Sequence, residues 1–140
     1  MAAWRRRGEW RLEIIRRVNS KALRSTFDTG NFLLVDEDPL RALDMLLPYI
    51  GHVHVKDFRE TVGGRYQSLG GKTYEGADLG QGAVPLVEIV KRLERAGYKG
   101  ELVLEYEGTG DEAEGIRASD GSFEKLLTRI SALAQNREDE

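Results

Sequence analysis

Short segments with a two-residue apolar–polar period alternate along this chain with segments whose apolar residues recur every three or four positions. That alternation limits the fold more than any other feature of the sequence. Residues 23–28, 52–57 and 101–106 have the strand period, with a shorter candidate at 77–80. Helices are predicted at 9–18 (Trp10, Ile14 and Val18, with Ile15 beside them) and from Asp38-Pro39 through Leu40, Leu43, Leu46 and Leu47 to a stop at Gly51. Two more are predicted at 85–96 (Leu86, Ile89, Val90, Leu93, capped at Gly97) and 122–134 (Phe123, Leu126, Leu127, Ile130). Residues 59–83, with seven glycines, and residues 108–121 predict loops. Strands separated by helices need right-handed crossovers and hence a parallel sheet, so the fold class is α/β. About four strands are too few to close a barrel.

The strand period also sorts the faces. Val53 and Val55 point one way, towards covering helices, and His52, His54 and Lys56 point the other. Leu102, Leu104 and Tyr106 oppose Glu101, Val103, Glu105 and Glu107, and Thr26 and Asp28 oppose Phe27. In parallel α/β folds the strand C-termini open on one face, where sites form. Asp28, His54 and Glu105 all stand near those ends. Carboxylate, imidazole and carboxylate suit a divalent metal such as Mn, Mg, Co or Zn. Each residue also has a plainer reading: Asp28 as a turn aspartate bonding its own backbone, His52 and His54 as interior histidines, Glu105 paired with Lys56 or an arginine, and Glu107 solvated.

Composition excludes several classes. There is no cysteine, so no disulfide scaffold, thiolate metal site or thiol nucleophile. Twenty-one basic against 24 acidic residues give a net charge of −3, no reason to expect nucleic acid or a membrane surface as partner. No apolar run approaches the roughly 20 residues of a membrane span, and a cytoplasmic setting is expected. Eight of the first 24 residues are Arg or Lys, which predicts a solvated helix face. The organisation expected is a basic segment at 1–8, one domain at 9–135 and a polar tail at 136–140.

The motifs Asp28-Thr29-Gly30-Asn31, His52-Val53-His54-Val55-Lys56-Asp57, Leu79-Gly80-Gln81-Gly82 and Gly100-Glu101-Leu102-Val103-Leu104-Glu105 follow in that order. Together they resemble the second half of the sugar phosphate isomerase/epimerase family, the xylose isomerase-like TIM barrels. That family includes inosose dehydratase, hydroxypyruvate isomerase and the ketose 3-epimerases. The resemblance covers about residues 10–135 and implies the parallel β/α units of barrel strands five to eight, an incomplete barrel where a whole one takes roughly 250 residues.

The resemblance implies a metal held from strands four, five, six and eight, with Asp28, His54 and Glu105 as the last three ligands. The strand-four glutamate has no counterpart. It further implies a sugar or sugar phosphate substrate and proton transfer through an enediolate, with Glu105 as ligand and acid/base. Asn31 and Lys56 are implied as substrate-binding residues, Lys56 alternatively pairing a carboxylate, and His52 is placed beside them. Alone the chain is expected to be a poor catalyst, completed by a homodimer or by a missing N-terminal half-barrel. Alternatives are a non-catalytic or split-gene fragment and, with only two histidines for a zinc cluster, an endonuclease IV-like hydrolase.

Overall fold

The computed structural model of the chain describes residues 8–138. Three parallel strands, β1 (Ser25–Asp28), β2 (Ile50–Val55) and β6 (Leu102–Leu104), form one sheet in the order β1-β2-β6. Helices α1 (Gly8–Val18), α2 (Pro39–Leu46), α3 (Leu86–Arg95) and α4 (Glu112–Glu138) accompany it. A second sheet, β3 (Asp57–Glu60), β5 (Thr73–Ala77) and β4 (Tyr66–Gln67), is antiparallel.

The core lies on the helix side of the parallel sheet. Phe27, Val53 and Val55 are at most 1 % exposed there and pack with Leu43 and Leu46 of α2 and Ile89 and Leu93 of α3. Burying each such side chain contributes about 1.5–3 kcal/mol. On the opposite face Thr26 is exposed, His52 and His54 are half-buried, and Val103 is 39 % exposed. The sorting by period two therefore holds on all three strands.

Local signals set most helix ends. Asp38 caps α2 by accepting the Leu40 N–H, with Pro39 in the first turn. That helix stops at Leu46, before the expected Gly51, because Pro48 has no N–H to continue it. A 3-10 turn (Leu47–Tyr49) follows, and Gly51 belongs to β2. Gly97, with φ of 70°, ends α3 in the left-handed region, and the Tyr98 N–H returns to the Leu93 carbonyl.

Three departures from expectation have physical causes. The last helix begins ten residues before its predicted start: Asp111 Oδ1 accepts the Glu114 N–H, and Gly115, read as loop, packs where a Cβ would run into the Tyr106 ring. It also continues through residues 136–138, expected as tail. The glycine-rich stretch is a sheet, not a loop, with Gly63 (φ 73°) and Gly71 (φ 90°) supplying its left-handed corners. The strand expected near 77–80 is absent from the parallel sheet because β5 spends its backbone groups on β3 and β4. The strands that the resemblance numbers six and eight are thus direct neighbours, and the parallel sheet has three strands where four were expected.

Helix α1 is rotated from its expected setting. Trp10, Ile14 and Val18 are 43, 47 and 53 % exposed, whereas Leu12 and Ile15 meet the core. In this setting Arg11 donates to the Thr26 carbonyl on the outer edge of β1 and lies over the Phe32 ring, and Arg41 pairs with Glu9. Of the expected basic segment, residues 1–7 lie outside the described residues.

Asp57 joins the two sheets. It is 2 % exposed; Oδ1 accepts the Phe58 and Val84 N–H groups and Oδ2 those of Gly80 and Gly82, at 2.9–3.0 Å. Burial pushes its carboxyl pKa above the usual range, and the four donors oppose that rise. An Asp57→Asn variant keeps the shape but turns an NH2 towards two of the donors. We expect it to lower unfolding stability by about 3 kcal/mol, read from the urea midpoint by circular dichroism.

Candidate metal centre

Register alone brings the three predicted ligands together. Asp28 pairs with His54 across β1 and β2, and His54 with Val103 across β2 and β6, so Glu105 lies two residues on, on the same face. The Glu105 N–H donates to the Val55 carbonyl at 2.9 Å and carries the ladder past the end of β6. One candidate ligand atom from each of Asp28, His54 and Glu105 lies within 4.8 Å of the others. His54 Nδ1 is 3.2 Å from Glu105 Oε2 and 4.0 Å from Asp28 Oδ2. Ligand oxygens and nitrogens at about 2.0–2.3 Å from one ion lie within such a span, and two carboxylates with one imidazole are the donors of a divalent cation. The residues fit the ion.

Asp28 is also the turn aspartate of its plainer reading. Oδ1 accepts the Gly30 and Asn31 N–H groups, and Oδ2 accepts the Asn31 side-chain amide at 2.9 Å. With its side chain only 7 % exposed, these donors replace the water it has lost. Asn31 thereby holds Asp28 in place. The side chain of Glu105 is 42 % exposed and that of His54 35 %. The His52 ring meets the His54 ring edge-on, centroids 5.1 Å apart, outside the carboxylate cluster.

Lys56 lies at the centre. Its side chain is 3 % exposed, and its Nζ is 3.1 Å from Asp28 Oδ2, 2.7 Å from Glu105 Oε2 and 2.5 Å from Glu107 Oε1. Thr29 Oγ1 accepts the Lys56 N–H and donates to its carbonyl, fixing the backbone. Burial works to lower the Lys56 pKa, but the hydrogen bonds to Glu105 and Glu107 and the charge of Asp28 outweigh it and hold it above the ordinary lysine value. Of the two alternatives weighed for Lys56, carboxylate pairing is the one its contacts display.

Two participants were missed by sequence reasoning. Glu107, expected in solvent, accepts hydrogen bonds from Lys56 and from the Tyr66 hydroxyl. Burial pushes its pKa up, but those bonds and the lysine charge bring it below the usual carboxylate range. Tyr66, on β4, stacks at a tilt on Phe58 with ring centroids 5.2 Å apart, and the bond to Glu107 lifts its phenol pKa. Period two did put Glu107 on the same side as Glu105; no local signal placed Tyr66.

A carboxylate with a depressed folded pKa adds stability that is present above its unfolded value and lost as pH falls through the folded one. Glu107→Gln should therefore lower the urea midpoint at pH 7, by the equivalent of about 1 kcal/mol. Its difference from wild type should shrink as pH falls below the ordinary glutamate value of about 4.3; equilibrium urea unfolding from pH 3 to 8 reads both.

Residues 5–126 match the family described as xylose isomerase-like TIM barrel. An inosose dehydratase of Bacillus cereus is 36 % identical over 87 residues, 58 % of this chain and 29 % of that protein. A xylose isomerase domain protein from Planctomyces limnophilus superposes with a TM-score of 0.74 at 27 % identity, over 92 % of this chain and 45 % of that one. A xylose isomerase-like TIM barrel protein from Mycobacterium smegmatis, solved in complex with magnesium, gives 0.70 at 20 % identity, over 89 % and 40 %. A D-tagatose 3-epimerase-like protein gives 0.67 at 21 %, over 91 % and 43 %. This chain thus spans less than half the length of each of these relatives. Its three parallel strands are those of a partial barrel, and the chain belongs to the xylose isomerase-like TIM barrel family.

Proposed function

We propose that this chain carries the metal-binding part of a sugar or sugar phosphate isomerase or epimerase, with Asp28, His54 and Glu105 as ligands of a divalent ion. The observation that carries this reading is their convergence within 4.8 Å at the ends of three adjacent parallel strands. The bound ion supplies a Lewis acid that polarises neighbouring carbonyl and hydroxyl oxygens of an open-chain sugar. Asp28, held by Asn31 and two backbone donors, is the fixed ligand. Glu105, the most exposed of the three, acts as one acid/base at the carbon beside the carbonyl, and the second, on the opposite side of the substrate, corresponds to the strand-four glutamate that has no counterpart in this sequence. His52 and Asn31 border the place a substrate would take.

The similarity to an inosose dehydratase favours a second reading, in which the same proton removal is followed by loss of a neighbouring hydroxyl. One experiment separates them: incubation with open-chain ketoses and inososes in D2O, followed by NMR. Isomerase or epimerase action gives deuterium at the carbon beside the carbonyl without loss of water, and dehydration gives an unsaturated or deoxy product. Glu105→Gln should reduce either rate by about 10²–10⁴-fold. Calorimetric titration with Mn2+ should show binding that Asp28→Ala and His54→Ala abolish; equal isotherms in all three proteins would refute the metal centre.

The reading extends to assembly. The outer edge of β6, the exposed Val103 on the inner face and the exposed Trp10–Ile14–Val18 stripe of α1 favour association with a second copy. Sedimentation equilibrium at micromolar concentration should give a dimer, and a single species near 15.8 kDa would refute it.

A further inference from the structure

Lysine is almost never fully buried unless paired, and Lys56 is both. Its stem runs against the turn after β1, where a Cβ on Gly30 would come within 2.8 Å of Lys56 Cγ, so only glycine there leaves it room. Its three N–H donors face three carboxylates, one oxygen each. Two of those oxygens, Asp28 Oδ2 and Glu105 Oε2, are the atoms that His54 Nδ1 faces. The ammonium therefore stands among the donors that a divalent ion would use.

The charges follow the same pattern. Three carboxylates facing one ammonium leave the cluster net negative, the sign of charge that a divalent ion would balance. The third carboxylate, Glu107, is outside the ligand triad and is anchored from the second sheet by the Tyr66 hydroxyl.

We infer that Lys56 is the built-in counter-cation of this centre: its ammonium competes with the divalent ion for Asp28 and Glu105, and Glu107 holds the ammonium when the ion is bound. The inference rests on the metal reading proposed above. Without the ion, Lys56 keeps the carboxylates together; with it, Asp28 Oδ2 and Glu105 Oε2 turn to the ion, and Lys56 keeps its bond to Glu107. Like charges a few ångströms apart in a buried site repel strongly, so an ammonium without that bond would oppose the ion.

The test is a double-mutant cycle on the full 140-residue chain: wild type, Lys56→Gln, Glu107→Gln and the double variant. Each is titrated calorimetrically with MnCl2 and melted with and without Mn2+. Lys56→Gln should melt lower without metal, bind Mn2+ about tenfold tighter or more, and gain more in Tm from Mn2+ than wild type does. Glu107→Gln should weaken Mn2+ binding in the wild-type background and change it little in the Lys56→Gln background, because Glu107 acts through the lysine. Equal or weaker binding by folded Lys56→Gln, or a Glu107→Gln effect of the same size in both backgrounds, would overturn the inference. A Lys56→Gln chain that folds only with Mn2+ supports it, and one unfolded with and without Mn2+ overturns it. Binding by none of the four proteins removes the metal reading and this inference together; equal binding by all four removes only this inference.

Discussion

Three carboxylates gathered within hydrogen-bonding reach of one point repel one another, and the buried Lys56 ammonium is what allows Asp28, Glu105 and Glu107 to share the end of one sheet. Removing charged groups from water is costly unless each finds partners. Here the compensation is complete among the described residues, where no buried side-chain nitrogen or oxygen lacks a hydrogen-bond partner. Asp28 replaces its water with backbone and amide donors, Lys56 with three carboxylate oxygens, and Glu107 with lysine and tyrosine. The rest of the local structure follows from holding Lys56 in place: Thr29 grips its backbone from β1, and Gly30 leaves space for its stem.

The same stretch of chain builds the scaffold beneath the site. From His54 to Asp57 successive side chains alternate between two tasks. His54 and Lys56 enter the charged cluster. Val55 enters the core, and Asp57 gathers the N–H groups of Gly80, Gly82 and Val84 ahead of α3. A one-residue slip in β2 would exchange the faces, placing valines among carboxylates and charges in the core. The charged centre and the core therefore enforce the same register. It also explains why two motifs far apart in sequence, at 52–57 and 79–82, belong together: the aspartate that closes the first binds the glycine backbone of the second.

What the sequence disclosed about this molecule was whatever depends on period and order. Alternation along β1, β2 and β6 separated core from site, and it brought Asp28, His54 and Glu105 to one place from three separated segments. What stayed hidden depends on tertiary partners. Gly115 and Gly121 read as loop, because a glycine costs a helix about 1 kcal/mol relative to alanine; yet α4 starts at Glu112, since the Tyr106 ring needs a side chain as small as Gly115 beside it. The Trp10–Ile14–Val18 stripe read as the apolar face of α1, but Leu12 and Ile15 are the residues that meet the core. Glu107 read as solvated because its partners lie 51 residues back, at Lys56, and on a two-residue strand with no strong pattern of its own.

The environments of Asp28 and Glu105, the two carboxylates proposed as ligands, differ. Asp28 receives three hydrogen bonds from its own turn and has a side chain 7 % exposed. A carboxylate with so many partners is held rigidly in place. Glu105 stands at the other side of His54, past the last residue of β6, with 42 % of its side chain exposed and in contact with His54 and Lys56. A group that exchanges protons with a substrate must reach it and must exist in both protonation states during turnover. Of Asp28 and Glu105, Glu105 is the one exposed enough to meet the first condition, as its proposed role needs. The asymmetry arises from the strands themselves: Asp28 is followed at once by a tight turn that folds back over it, whereas Glu105 is followed by an extended segment that leads Glu107 to Lys56. Rigidity is thus concentrated on one side of the centre and access on the other, as the proposed proton transfer beside a bound ion would need.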